Sequence, residues 1–434
     1  MTKLSILDTA FTTKLLTLYS SLAVFLFLSL ALILPSGYSY GAAMLFLAGL
    51  FFVFKQQSWV MLNKQDWLLG SVLAVFSLVW MLEAWIFGYG ISGFDKPFRF
   101  VAAIVAMFCL IQYPPKLAFF WFGAALGSIL TGVYTVKVIL FDGLSRVELG
   151  YTTAIIQFGN TSILLAFLSL AGLGWAVSQR KKYFWISLLL FGFLMGLVAS
   201  VLSGTRGGWI AIPFALLIIY RGLSSHFQWR HVFVGSVLLV FTLVFIYTQP
   251  STGVKERVDL AVAEVKSYYQ QGVAATSVGS RLEMWRGGLI IVADNPIYGV
   301  GTLGYQQRKS ALIQEGELDP FVEHITHLHN EYLERFVKFG LIGLFALILL
   351  FFLPLRVFLS YFQHPCLNVR ALASAGAVLS VCYIDFSLTH SPLRHNIGVM
   401  IFAFTLIVIS VLLKYALVNY NSGQNSNIDS LKCG

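Results

Sequence analysis

The chain has 434 residues, of which 58% are hydrophobic and 11% charged, with a formal net charge of +10. Soluble domains carry roughly 25% charged residues, so one large water-soluble core is excluded. The surplus Lys and Arg lie mainly in short segments between apolar runs, where they anchor membrane spans and give no argument for nucleic acid as a partner.

Apolar stretches of about 17–25 residues, the length that crosses a bilayer as a helix, recur along the whole chain. About twelve spans are expected, near 15–34, 38–54, 67–87, 98–113, 117–139, 152–176, 183–203, 206–220, 232–249, 333–354, 370–388 and 396–418. The fold class read from this is an all-α polytopic membrane protein. The first run follows Lys3 and Lys14, is too long for a signal-peptide core and lacks a small-x-small cleavage site, so a retained span is expected. Cys109 and Cys382 fall in apolar runs, Cys366 and Cys433 in segments assigned below to the cytoplasm, and no disulfide framework is implied.

Lys and Arg placement sets the orientation. With a cytoplasmic N-terminus, the inside segments hold Lys55, Lys64, Lys116, Arg180, Lys181, Lys182, Arg221, Arg230, Arg356, Arg370 and Lys414. The short outside loops keep Lys96, Arg146, Arg206 and Arg394. That asymmetry follows the positive-inside rule. It divides the chain into 1–249 with spans one to nine, a helical periplasmic loop at 250–331, spans ten to twelve within 332–418, and a polar cytoplasmic tail at 419–434.

The loop has helical periodicity. Val254–Gln271 alternates charged and apolar residues and predicts an amphipathic helix along the membrane surface. Ser280 followed by Glu283 predicts a capping box that opens a second helix, SRLEMWRGGLIIVAD, ending at Asn295–Pro296. Arg281 and Trp285, four apart, share one of its faces. After the turn NPIYGVG comes a more polar stretch, and His324–Lys338 is expected to run straight into span ten.

Several polar residues are set at outside span ends, each with a structural reading beside the chemical one. His329 could take a proton from an attacking hydroxyl, or be an interfacial histidine bonded to backbone. His324, His327 and His329 could suggest a metal site, but their spacing lacks a secure ligand geometry. Arg206 in SGTRGGW, Arg281 in GSRLEMW, Arg146 in LSRVELG and Arg286 could each pair with phosphate oxygens, or snorkel from a helix end. Asp385, near the outer end of span eleven, could orient His329 or neutralise an arginine, with Arg394 a local choice. Glu83 in span three raises the same question.

His329-Asn330, nine intervening residues, Gly340, two more and Gly343 reproduce a signature, H-[NSQ]-x9-G-x-x-[GTY], and the chain resembles the O-antigen ligase family through it. SGTRGG around Arg206 looks like that family's arginine-glycine motif. SRLEMWRGGLIIVADNPIYGVG resembles its R-x3-W … P-x-x-G-x-G segment. The resemblance implies a GT-C-like glycosyltransferase of the bacterial inner membrane, with both termini cytoplasmic and the active site facing the periplasm. It implies transfer of a polysaccharide from undecaprenyl diphosphate to a sugar hydroxyl of lipid A–core, in lipopolysaccharide biosynthesis, with no metal or other cofactor. By motif position it gives His329 a catalytic role and Arg206 and Arg281 the diphosphate. Arg146 and Arg286 on the diphosphate, and Asp385 beside His329, carry over through no sharp motif.

Implied partners are the lipid-linked glycan, the lipid A–core oligosaccharide and membrane lipids; the oligomeric state is left open. An O-antigen or exopolysaccharide polymerase with the same donor stays open, as does a lipid-linked sugar transporter, which would place charges at mid-bilayer. A non-enzymatic scaffold for glycan assembly would tolerate loss of His329 and Arg206.

Overall fold

In a computed structural model, residues 3–144, 147, 154–205, 207–223 and 254–425 are described. They form helices joined by turns, with no strand among them. The long helices are α1 (Lys3–Ser29), α2 (Gly37–Phe52), α3 (Lys64–Ile86), α4 (Asp95–Gln112), α5 (Leu117–Val136), α6 (Ile155–Ala171), α7 (Lys182–Leu202) and α8 (Ala211–Leu223). After them come α9 (Val254–Gln271), α10 (Ser277–Asp294), α11 (Gly301–Gln314), α12 (Glu331–Leu359), α13 (Leu367–Thr389) and α14 (Asn396–Asn425).

Eight helices among the described residues are long and apolar enough to cross a membrane, and Gly37–Phe52 and Ala211–Leu223 are shorter apolar helices. Each expected span coincides with a helix except 232–249, which lies outside the described residues. The chain is therefore a multi-pass helical membrane protein. The expected span at 206–220 starts later, at Ala211, because a glycine-bearing turn precedes the helix.

The spans sort into a centre and a rim. Most residues of α6, α13 and α14 are buried, whereas α7 is mostly uncovered and shows its Phe and Leu side chains outward. Small residues let the central helices approach closely. Ala371, Ser374, Ala375, Gly376 and Ala377 of α13 are all buried, and a Cβ on Gly376 would overlap the Phe358 ring of α12.

The loops that charge placement assigns to one side gather at one end of the bundle. Residues 87–94, 207–210, 296–302, 326–330 and 390–395 meet there: Thr302 N donates to Tyr89 Oη, Thr389 Oγ1 to Gly207 O, and Leu393 N to Glu331. At the other end Lys414 pairs with Asp66 at 2.5 Å, and Tyr361 donates to Gln65 at 2.8 Å.

Segment 254–330 packs on the first of these ends. Its first helix spans Val254–Gln271, as the periodicity predicts. The second begins earlier than the expected capping box: Thr276 is the N-cap, and its hydroxyl accepts from Gly279 N at 2.9 Å. Glu283 is buried and already engaged, accepting from Tyr268 Oη at 2.5 Å and Asp319 N at 2.9 Å. Nor does 324–338 run as one helix. Residues 324–329 are non-helical, Asn330 is the N-cap of α12, and α12 is broken at Phe339 and Gly340.

That break explains the signature glycines. Gly340 has φ +60°, and a Cβ there would overlap the Ile297 carbonyl. Leu341 N, freed from the helical ladder, donates to Pro296 O at 2.8 Å, and Val300 N donates to Val337 O at 3.0 Å. The NPIYGVG turn thus inserts its backbone into the gap in α12, a close approach that glycine permits.

Candidate active site

Asn330 holds the head of α12. Its Oδ1 accepts from Leu333 N at 3.0 Å, satisfying one free donor of the first turn, and its Nδ2 donates to Leu388 O at 3.1 Å. Just before it, His329 takes φ +50°, an uncommon value for a side chain other than glycine. Such a conformation persists where its neighbours over-determine it, and Leu328 is that neighbour. Its side chain is fully buried, its N–H donates to Glu334 Oε2 at 2.8 Å, and its carbonyl accepts from Trp285 Nε1 at 2.8 Å. The pinned residue holds the two flanking imidazoles together, with the His327 and His329 ring centroids 3.8 Å apart.

A second loop, 390–395, closes on the first. Glu331 Oε2 accepts from Leu393 N at 3.1 Å, while Arg394 donates to Thr326 O at 3.3 Å and Thr326 Oγ1 at 3.0 Å. This brings His390 to 6.3 Å from His329, ring to ring, and His395 to 5.0 Å from His390. Four imidazoles therefore share one end of the bundle. His390 and His395 were passed over in the sequence, although both flank the Ser-Pro-Leu-Arg turn directly after Asp385. Among the described residues no three His, Cys, Asp or Glu side chains are arranged to hold a metal ion.

Burial dominates the electrostatics. It pushes the His329 imidazolium down to about 3, helped by the positive charges of His327 and Arg281, with Glu334 opposing. His327 falls to about 4 through burial and then Arg394, and His395 to about 4 for the same two reasons. His390, the most buried, lies well below the ordinary histidine range. At neutral pH the cluster is a set of uncharged bases. The Arg281 guanidinium lies close enough to weigh on both His329 and His390, and burial lowers its own pKa, against the pull of Glu264.

The other candidates fall in different places. Arg206 and Arg146 lie outside the described residues. Arg286, half-exposed, pairs with Glu283 at 3.6 Å and Glu317 at 3.3 Å. Asp385 is buried, and its Oδ2 accepts from Ala211 N at 2.8 Å, which caps the start of α8. Its expected local partner, Arg394, is engaged by Thr326 instead. Glu83 faces Arg335 at 3.3 Å, and Arg335 also pairs with Glu331 at 3.0 Å while stacking 3.8 Å over the Trp80 ring.

At the head of α12 runs an open apolar cleft of about 300 Å³, lined by Trp285 and Leu289 of α10 and by Asn330, the residue after His329, with Tyr332, Leu333, Phe336 and Leu344. The polar atoms on these walls are turned to partners elsewhere: Trp285 to Leu328 O, Asn330 to Leu388 O, and Tyr332 to Ile384 O at 3.1 Å. What faces the cleft is hydrocarbon and aromatic surface, suited to a lipid chain.

Comparison with known proteins agrees with the resemblance drawn from the motifs. Residues 191–348 match the family model described as O-antigen ligase. That segment runs from within α7 through α8, α9, α10 and α11 into the first part of α12, and includes Arg281, Trp285, His329 and both signature glycines. A Haemophilus influenzae protein described as uncharacterized is 28% identical over 394 residues, covering 89% of this chain and 96% of that one. Across 191–348 the chain is thus similar to the O-antigen ligase family, and this likeness sits on a multi-pass helical scaffold.

Proposed function

We propose that the protein is an O-antigen ligase. It transfers a polysaccharide from undecaprenyl diphosphate to a sugar hydroxyl of lipid A–core at the periplasmic face of the bacterial inner membrane. The observation that carries this reading is the arrangement at the head of α12: His329, held in its uncommon backbone conformation and near Arg281, next to Asn330, which lines an apolar cleft.

The chemistry follows from those groups. A sugar hydroxyl is a poor nucleophile, and His329, uncharged at neutral pH, can take its proton as the oxygen attacks the anomeric carbon. The anomeric C–O bond breaks with its electron pair leaving on the diphosphate, where negative charge builds. Arg281, and Arg206 by its motif, supply guanidinium groups that stabilise such charge. A direct displacement inverts the anomeric centre, and no metal is needed. The cleft supports a lipid chain in reach of the head of α12.

Purified protein given a lipid-diphosphate glycan and lipid A–core tests the reading. Glycan joined to lipid A–core, with inverted linkage, is the expected product. A product in which the glycan has grown on another lipid-diphosphate glycan would reassign the protein as a polymerase.

A further inference from the structure

The transfer leaves one proton to dispose of, and the histidine end of the bundle offers an exit. His390 is 2% exposed, and among the described residues neither of its ring nitrogens has a hydrogen-bond partner; the Nδ1 atoms of His329 and His327 are likewise buried without one. Buried polar atoms are costly to leave unpaired, and where they persist in clusters they bind water or take part in chemistry. The rings stand in a row, with His329 to His390 at 6.3 Å and His390 to His395 at 5.0 Å between centroids. Each gap is of a size that one hydrogen-bonded water bridges. The row begins at the half-buried His329, passes through the buried His390 and ends at the half-buried His395.

We propose that His390 and His395 form a proton relay that carries the acceptor's proton from His329 out of the site. This rests on the transfer reaction proposed above. The balance is simple: the acceptor oxygen gives its proton to His329 and its lone pair to the anomeric carbon, and the lipid diphosphate departs with the electrons of the broken bond. His329 then releases a proton through bridging water to His390, which hands one on to His395 and bulk solvent. His390 faces His395, His329, His327 and Arg281, and His395 faces Arg394 and Lys96. Among the carboxylates, Glu334 acts on His327 and His329. Burial and the neighbouring His395, His329, His327 and Arg281 all oppose a positive charge on His390, so a proton passes through that ring and does not rest there. His390 acts through His329 and is a positioning residue, distinct from the base itself.

The test uses the full-length protein in nanodiscs, with a lipid-diphosphate glycan and lipid A–core, across about pH 5.5–8. His390→Gln, which keeps polar atoms but cannot shuttle protons, is expected to lower kcat by at least about tenfold, with the donor KM within about twofold. His390→Ala opens space for a small base, and added imidazole is expected to restore much of its kcat; His390→Phe fills the space and should show no rescue. His395→Gln should slow turnover in the same direction and change the pH profile of kcat. Wild-type turnover together with a His390→Gln enzyme of unchanged kcat and pH profile would overturn the relay alone. So would a normally melting His390→Ala that imidazole does not accelerate. Absence of transfer by the wild-type protein would overturn the glycan-transfer reading and the relay with it.

Discussion

The backbone N–H of Leu328 donates to the Glu334 carboxylate at 2.8 Å, so the helix that follows the histidine loop reaches back and holds it. Lys338 in turn pairs with the other oxygen of Glu334. Removing this strut with Glu334→Ala is expected to cost about 1–3 kcal/mol for the freed buried donor. It should also lower kcat by roughly 100-fold, because small displacements of a positioned catalytic group cost that much. Glu334→Gln, which can still accept from Leu328, should lie closer to wild type. Thermal unfolding and a transfer assay on the two variants check both numbers.

Trp285 does the same from the opposite side, through a single hydrogen bond to Leu328 O at 2.8 Å. Trp285→Phe keeps an aromatic wall on the cleft and loses the bond. A stability loss of ~1 kcal/mol is expected, with a larger fall in kcat than in donor affinity. Equal falls in both would assign Trp285 to substrate binding instead.

Gly340→Ala places a Cβ at φ +60° against the Ile297 carbonyl. The strain of that conformation alone is about 1–2 kcal/mol, and the steric overlap adds to it. Gly343, at ordinary helical φ, would bring its Cβ to 2.9 Å from Arg335 O and Phe339 Cβ, so Gly343→Ala should be milder. Melting temperatures of the two variants in one detergent should rank Gly340→Ala the lower.

Arg335 sits between Glu83 and Glu331 in a buried network. Arg335→Met leaves two carboxylates unpaired and is expected to cost about 3–5 kcal/mol. Adding Glu83→Gln and Glu331→Gln should recover a large part, since an amide still accepts from Leu393 N. Recovery of nothing would show that the arginine's stacking on Trp80, and not charge balance, holds the helices.

How much of this was legible in the sequence depends on the range of the interaction. Span positions within the described residues and the helix Val254–Gln271 follow from local periodicity, and both were readable. The Ser280–Glu283 capping box was misread because Glu283 answers to Tyr268 and Asp319, partners that local spacing does not reveal. The continuous helix expected through 324–338 failed because Leu328 is pinned from Trp285 and Glu334, which overrides local propensity. His390 and His395 were missed for a similar reason: tertiary bonds such as Leu393–Glu331 and Arg394–Thr326 bring their loop against His329. The two carboxylates of the HNEYLERF stretch turn out to hold loops in place, Glu334 the first and Glu331 the second.

The histidines also set a pH dependence. His329, His327 and His395 are pushed down to about 3, 4 and 4 from the ordinary 6.5. Between those values and 6.5 the unfolded chain binds more protons than the folded one, so stability rises with pH there. The protein should be fully stabilised above about pH 6.5 and lose stability steadily as pH falls through 6 and 5. His327→Gln should flatten that slope. For catalysis, kcat/KM reports the free enzyme, and its acid limb should lie well below pH 6.5. The kcat limb should sit higher, because a bound anionic diphosphate raises the basicity of the imidazoles it faces.

The most direct measurement is single-turnover transfer from a lipid-diphosphate glycan to lipid A–core by purified wild-type and His329→Ala protein, with donor binding followed in parallel. The account predicts that His329→Ala binds donor normally and transfers it about 10²–10⁴-fold more slowly. Transfer at the wild-type rate by His329→Ala would contradict it.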